Sequence, residues 1–239
     1  MKKITHLLVL LPIVFLQFQC VTKDKTTDTE YIYKNGDPNG IGKWYMGREI
    51  AHVMGFTEME WLERPEREKE ENTSTLLKNM NIQPNDKIAD IGAGSGYHVF
   101  KMAPIAKNGA IYAVDIQDEM LTTLEYRKAI DSITNVIVVK GSEQSVNLPK
   151  NSIDKFLLVD VYHEFNYPKE VISSIKKALR KGGKIYLVEY RKEDIRVPIK
   201  KIHKMTEKQA VKEMNAAGFV LEENIKNLPW QHCMVFVKK

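Results

Sequence analysis

The chain has 239 residues, 43% of them hydrophobic and 28% charged, the balance of a globular protein with room for one sizeable domain plus extensions. The formal net charge of +5 is interleaved rather than blocked: ERPEREKEEN (63–72) is mixed in sign and KEDIRVPIKK (192–201) only mildly basic. Such a pattern describes a solvated surface and sets nucleic acid aside as a partner.

The start, MKKITHLLVLLPIVFLQFQC, places two lysines before an apolar run from Leu7 to Phe18 and then Cys20. A positive n-region followed by about a dozen apolar residues reads as a secretory signal, too short for a comfortable transmembrane helix. The position of Cys20 resembles the lipidated cysteine of bacterial lipoproteins, although Gln19 stands where a small residue is usual. The expectation is a membrane-associated lipoprotein of the periplasm or cell envelope, or a cytoplasmic protein if the signal is not processed. The other cysteine, Cys233, then has no disulfide partner and reads as a small core residue in the strand HCMVFV.

Residues 21–43 are polar and read as a linker, ahead of a domain spanning 44–239. Its front part, 44–80, reads as a helical cap: helical spacing through GREIAHVMG, an exposed charged helix up to Glu71, and a third helix capped by Asn72, Thr73 or Ser74 that carries Leu76, Leu77 and Met80 on one face. Strands and helices then alternate. IADI (88–91), AIYAVDI (110–116), NVIVVKG (135–141), FLLVDVY (156–162) and KIYLVEY (184–190) are strands. YHVFKMAPIA (97–106), DEMLTTLEYRKAIDS (118–132), PKEVISSIKKALRKGG (168–183) and TEKQAVKEMNAAGF (206–219) are helices. VLEENI and HCMVFVKK close the chain as an antiparallel hairpin. Helices between near-continuous apolar strands predict an α/β, Rossmann-like doubly wound sheet of seven strands, mostly parallel.

IADIGAGSGYHVF (88–100) carries the chemistry. A strand ending in Asp90 runs into Gly92, Gly94 and Gly96 at a helix start, where backbone N–H groups face a ligand. Tyr97 stands where the dinucleotide fingerprint G-x-G-x-x-G has its last glycine, which disfavours a pyrophosphate and with it a nicotinamide-dependent oxidoreductase. Asp90 argues for a cationic group nearby. Asp115 ends the next strand, 23 positions after Gly92, where an acid can accept both hydroxyls of a ribose.

ADIGAGSG (89–96), VDIQDEML (114–121), LPKNSIDKFLLVDVYHEF (148–165) and LRKGGKIYLVEY (179–190), in that order, resemble the class I S-adenosylmethionine-dependent methyltransferases over about residues 70–239. The resemblance implies S-adenosylmethionine as cofactor, its methionine end held by Asp90, Gly92, Gly94 and Gly96, its ribose by Asp115, with Ile116 against the adenine. Where that family often has Gly-Asp, this chain has Gly141–Ser142–Glu143, so Ser142 or Glu143 stands in for the adenine contact. Asp160 matches a position that commonly faces the donor. YMGREIAHVMG, WLERPER, EYRKED and the HKM stretch are similar to a bacterial subgroup of predicted methyltransferases that implies no particular substrate.

Ligands of open parallel sheets bind beyond the carboxyl ends of the strands. Tyr162, His163 and Glu164 follow the fourth strand, Glu189, Tyr190 and Arg191 the fifth, with His203 and Lys204 in the next loop and Trp230, Gln231 and His232 in the last. His163, with an ordinary pKa of about 6.5, is the first choice for proton transfer, with Glu164 orienting it or binding a cationic substrate. Tyr45, Arg48, Glu49 and His52 face the ligand if the front segment covers the site, Arg48 being suited to a carboxylate. His163, Glu164, His203 and His232 are of metal-binding types, but no tight spacing such as H-x-x-x-H is present, so no metal is assigned. The function expected is methyl transfer to a small-molecule acceptor. The alternative is a membrane-tethered module that binds the donor without turnover.

Overall fold

The computed structural model describes Met1 and residues 30–239. The signal reading, Cys20 and the linker as far as residue 29 lie outside the described residues.

A seven-stranded sheet forms the body, in the order β6 (Val136–Lys140), β5 (Ala110–Asp115), β4 (Lys87–Ile91), β7 (Ile153–Val159), β8 (Leu179–Tyr190), β10 (Gln231–Lys238), β9 (Phe219–Asn224). The first five are parallel. β10 runs antiparallel to both β8 and β9, which supplies the expected C-terminal hairpin. The central strands are apolar on both faces because helices cover both. On one side α6 (Pro168–Ala178) and α7 (Glu207–Ala216) bury Val171, Ile172, Ile175, Ala210 and Met214 against Phe156, Leu158 and Leu187. On the other, α3 (Thr73–Met80), α4 (Val99–Met102) and α5 (Asp118–Ile130) set Leu76, Met80, Val99, Met102 and Leu124 against Ile88, Ile111 and Leu157. Pro168 opens α6, where its missing N–H costs nothing. Asn72 caps α3, its side chain accepting the Thr75 N–H at 3.0 Å.

Three elements differ from the sequence reading. GREIAHVMG is not helical: β1 (Tyr31–Tyr33), β2 (Gly40–Tyr45) and β3 (Arg48–Ala51) form a small antiparallel sheet that also takes up part of the expected linker. The turn is Met46–Gly47, at φ 48° and 100°, the double positive φ of a type I′ hairpin, and it pairs Tyr45 with Arg48. Helices of the expected cap begin only afterwards, as α1 (Met59–Leu62), α2 (Arg67–Glu71) and α3. Helix α2 is solvated on one face only: Glu68 and Lys69 are exposed, but Arg67 and Glu71 are buried. Finally, α6 stops at Ala178, and Leu179 already pairs with Ile153, so the Gly182–Gly183 pair lies inside β8 at a bulge.

β4 pairs with β5 on one side and β7 on the other, so the connections leave it in opposite directions. A crevice opens at such a switch point, beyond the carboxyl ends of the strands.

Candidate active site

A cavity of about 560 Å³ occupies that crevice. Gly92, Gly94, Asp115 and Ile116 line it from the ends of β4 and β5, Ser142 and Glu143 from beyond β6, Asp160, His163 and Glu164 from beyond β7, and His203 from the loop after β8. Residues 52–71, among them Trp61, Leu62, Arg64, Arg67 and Glu71, roof it.

The glycine turn is shaped by its own chain as well as by what it can receive. Gly92 sits at φ 69°, and a Cβ there would lie 2.5 Å from Val161 Cγ2. Gly96, at φ 86°, does not line the cavity; its Cβ would strike Phe100 and Leu124 at 2.5 and 2.7 Å, so it closes the turn onto α4 and α5. Asp115 binds the turn from the side. Its Oδ2 accepts the Gly94 N–H at 2.9 Å, and its Oδ1 accepts those of Ile116 and Gln117 at 2.7 and 3.0 Å. Burial raises its pKa despite these three donors. Asp90 lies two residues before Gly92, 2% exposed, with Oδ2 bonded to nothing among the described residues. Burial pushes its pKa up to about 7, against the pull of Arg67. A buried carboxylate oxygen left unpaired just ahead of the glycine turn suits a cationic amino-acid end, although Asp90 is not itself among the cavity-lining residues, and Asp115 at the cavity wall suits a sugar.

Ser142 and Glu143 are exposed at the rim, Glu143 accepting the Asn166 amide at 2.9 Å. Asp160 adopts φ 49°, rare for a non-glycine residue, and is fixed there by the Tyr190 N–H at 3.1 Å on Oδ1 and the Gln231 amide at 2.5 Å on Oδ2. Burial, together with the nearby Glu71 and Glu189, raises its pKa well above the carboxylate range.

After Asp160 and Val161, which follow β7, comes a 3₁₀ turn, Tyr162–Glu164, whose first two N–H groups point at β8. Glu189, wholly buried on β8, accepts from Tyr162 N at 2.9 Å and His163 N at 3.3 Å, and its Oε2 lies 2.7 Å from His163 Nδ1. His163 Nε2 lies 3.2 Å from His203 Nδ1. Burial disfavours charge on His163, but Glu189 and Glu164 outweigh it and raise the pKa to about 10. His163 is therefore not the half-titrated imidazole that an ordinary pKa suggested, and both of its nitrogens are engaged. Burial and the His163 charge lower the pKa of His203.

Other candidates stand apart from the cavity. Arg48 forms a buried ion pair with Glu213 at 2.7 Å and donates to the His163 carbonyl at 3.1 Å, so it is not free for a substrate carboxylate. Tyr45 packs on Tyr31, and Glu49 accepts the N–H groups of Asp37 and Gly42. His52 alone of that group lines the cavity. Arg191 and Lys204 donate to backbone carbonyls, Gln231 braces Asp160, and His232 lies 3.0 Å from Glu193. Trp230 is not among the lining residues. Cys233 is buried, its thiol pushed up to about 11 by burial, as a core residue requires.

Sequence reading raised the front segment as a cover but missed the clamp within it. Arg64 and Arg67 clamp Glu71 at 2.6 and 2.8 Å, Tyr190 donates to it at 2.8 Å, and Arg67 also donates to the Leu62 carbonyl at 2.7 Å. The only signal was the i,i+4 pair Arg67–Glu71, which reads equally well as a solvated helix.

A family model described as a methyltransferase domain matches residues 89–187, from β4 into β8. The uncharacterized methyltransferase YdaC of Bacillus subtilis is 27% identical over 143 residues, which is 60% of this chain and 76% of that protein. The ubiquinone/menaquinone biosynthesis C-methyltransferase UbiE of Wigglesworthia glossinidia brevipalpis is 28% identical over 116 residues, 47% of this chain and 46% of that protein. A crystal structure of an S-adenosylmethionine-dependent methyltransferase from Aquifex aeolicus shares the fold, with a TM-score of 0.72 at 18% identity over 77% of this chain and 98% of that one. With a methyltransferase-domain match laid over the glycine turn and Asp115, and with this strand order, the chain carries a methyltransferase domain and has the fold of the class I S-adenosylmethionine-dependent methyltransferases.

Proposed function

We propose that the enzyme methylates a small-molecule acceptor whose reacting atom sits against His163, Glu164 and His203, while the donor occupies the glycine-turn end of the same cavity. One observation carries this reading: a single cavity of about 560 Å³, roofed by residues 52–71, is lined at one end by Gly92, Gly94 and Asp115 and at the other by the ionisable cluster. That volume suits small molecules.

When bound, the donor supplies a methyl group made electrophilic by its sulfonium. Asp90 and the turn N–H groups hold its charged end, and Asp115 holds its ribose. Ile116 covers the adenine, and Ser142 or Glu143 reaches its edge. Trp61, Leu62 and the Arg64–Glu71–Arg67 clamp keep water out. Aligning two reactants in this way supplies roughly 7–11 kcal/mol of the barrier. Glu189 fixes the His163 ring, and the cluster takes up the acceptor's proton. Asp160 and Tyr162 hold the turn that presents it.

The two ends should separate by mutation. Asp115→Ala removes a charged acceptor of hydrogen bonds worth roughly 1.5–3 kcal/mol each, and should raise the dissociation constant for S-adenosylmethionine at least tenfold. His203→Ala should leave that constant within about twofold and reduce transfer of labelled methyl to a small-molecule extract by about 10²-fold or more. Label arriving only in macromolecules, or full turnover in His203→Ala, would overturn the reading.

The N-terminal signal pattern supports a lipid tether through Cys20 at the membrane of the cell envelope. Among the described residues no helix is long and apolar enough to cross a membrane. Palmitate label and membrane association in the wild type, both lost in Cys20→Ser, are the expected results; unlabelled wild type refutes the tether.

A further inference from the structure

We propose that His163 Nε2, Glu164 Oε1 and His203 Nδ1 form a binding site for a divalent cation of the zinc class, with an open position facing the cavity. The two ring nitrogens are 3.2 Å apart, and the carboxylate oxygen is 3.7 Å from each. A triangle with those sides has its centre about 2.1 Å from every corner, which is the length of zinc bonds to imidazole nitrogen and carboxylate oxygen. The ring planes stand 86° apart, edge to face rather than stacked.

A hydrogen bond between the rings accounts for their 3.2 Å separation but not for the position of the carboxylate oxygen. At 3.7 Å the carboxylate oxygen is beyond hydrogen-bond reach of either ring, and a cluster held by protons would draw it to about 2.8 Å from one of them. Three donors at near-equal spacing around an empty centre form a coordination geometry.

Binding of the ion displaces the Nε2 proton of His163 to water, and two of the three donors are also aimed by something else. His163 Nδ1 is held by Glu189 Oε2 at 2.7 Å, which turns Nε2 inward; a carboxylate behind a ligating histidine is the usual outer partner of a metal site. Glu164 Oε2 accepts the Met54 N–H at 3.2 Å, which leaves Oε1 for the centre. His203 comes from the 3₁₀ turn Lys201–His203, on a separate loop. Two imidazoles and one carboxylate suit zinc or ferrous iron better than magnesium or calcium.

All three residues line the cavity, so a cation there keeps a position open to small molecules, as catalytic zinc sites do and structural ones do not. An acceptor hydroxyl, amine or thiol bound at that position loses its proton to water more readily. Its lone pair then forms the bond to the methyl carbon, while the carbon–sulfur bond breaks and its electrons stay on sulfur. This use of the site rests on the function proposed above; binding of the ion does not.

The test is metal binding by the full-length chain after chelation and dialysis, with ZnCl₂ followed by calorimetry and CoCl₂ by visible absorption. One ion per chain at micromolar affinity or tighter is the expected result. His203→Ala and Glu164→Gln should each weaken it at least tenfold, and Glu189→Gln roughly 10–100-fold. His232→Ala, whose ring contacts Asn224 and Glu193 instead of the cluster, should change nothing. Apparent loss through misfolding is separated by comparing metal-free melting temperatures. No stoichiometric zinc, or equal affinity in His203→Ala, overturns the site. Because the readout is the ion, absence of the site would leave the methyltransferase reading standing, and a failed acceptor search would leave the site standing.

Discussion

Glu213→Ala should lower the unfolding free energy by about 3–5 kcal/mol, the cost of leaving a buried charge without its partner. Glu213 has no exposed side-chain surface. It accepts four hydrogen bonds: from Arg48 Nε at 2.7 Å and Nη2 at 3.1 Å, from the Tyr162 hydroxyl at 2.7 Å, and from the Gln209 amide at 2.7 Å. Alanine strands the Arg48 guanidinium, whose side chain is only 9% exposed. For a chain of this size the loss corresponds to roughly 10 °C in melting temperature. Arg48 also donates to the carbonyls of His163 and Tyr162, so the damage should reach the 3₁₀ turn and lower turnover as well. The double variant Arg48→Met, Glu213→Leu removes both charges together and should recover most of the stability. A difference under 1 kcal/mol between wild type and Glu213→Ala would show that the pair contributes little.

That network also shows where sequence reading stops. The parallel sheet was legible because its strands are apolar runs of the right length, punctuated by residues with mechanical meaning: Pro168 at the first turn of α6, Asn72 capping α3, and Gly218 at φ 83° after α7. The small sheet was not. Its hairpin turns on Met46, a residue that rarely takes positive φ, and its buried positions include Lys43, whose amine lies 3.4 Å from the Tyr167 ring centre and 4.2 Å from that of Tyr31. A lysine sheltered by aromatic rings looks in sequence like a surface residue.

The site divides in the same way. The proposed donor end is local: Asp90, the glycines and Asp115 sit on two adjacent strand ends, so spacing alone places them together. The other end is assembled by topology. His163 and Glu189 are 26 residues apart, and His163 and His203 are 40 apart. They meet because β7 and β8 are neighbours and the loop after β8 folds back over their ends. Residue type singled out the candidates, but only the fold reveals that Glu189 lies behind His163, that Glu164 and His203 lie in front, and that Arg48 is spent on Glu213.

Asp90→Asn should trade donor binding for stability, with a sign set by pH. In the folded chain Asp90 has its pKa raised to about 7, by burial first and Asp115 second, against an ordinary value near 4. A carboxyl whose folded pKa lies above its unfolded one favours folding fully below about pH 4, and that contribution is lost as pH rises through about 7. Three units amount to roughly 4 kcal/mol. Urea unfolding between pH 5 and 8 should therefore show the donor-free wild type losing stability relative to Asp90→Asn as pH rises, the variant being the more stable at pH 8. Binding should run the other way. A cation held near the ionised carboxylate offsets its burial, so wild-type affinity for S-adenosylmethionine should rise with pH up to about 7, and binding near pH 6 should release a proton. Calorimetry in buffers of different ionisation enthalpy reads that proton directly. Asp90→Asn should release none from this site and bind at least tenfold more weakly. Parallel stability curves for the two proteins would show that another group governs the pH response, and equal affinities would remove Asp90 from the donor site.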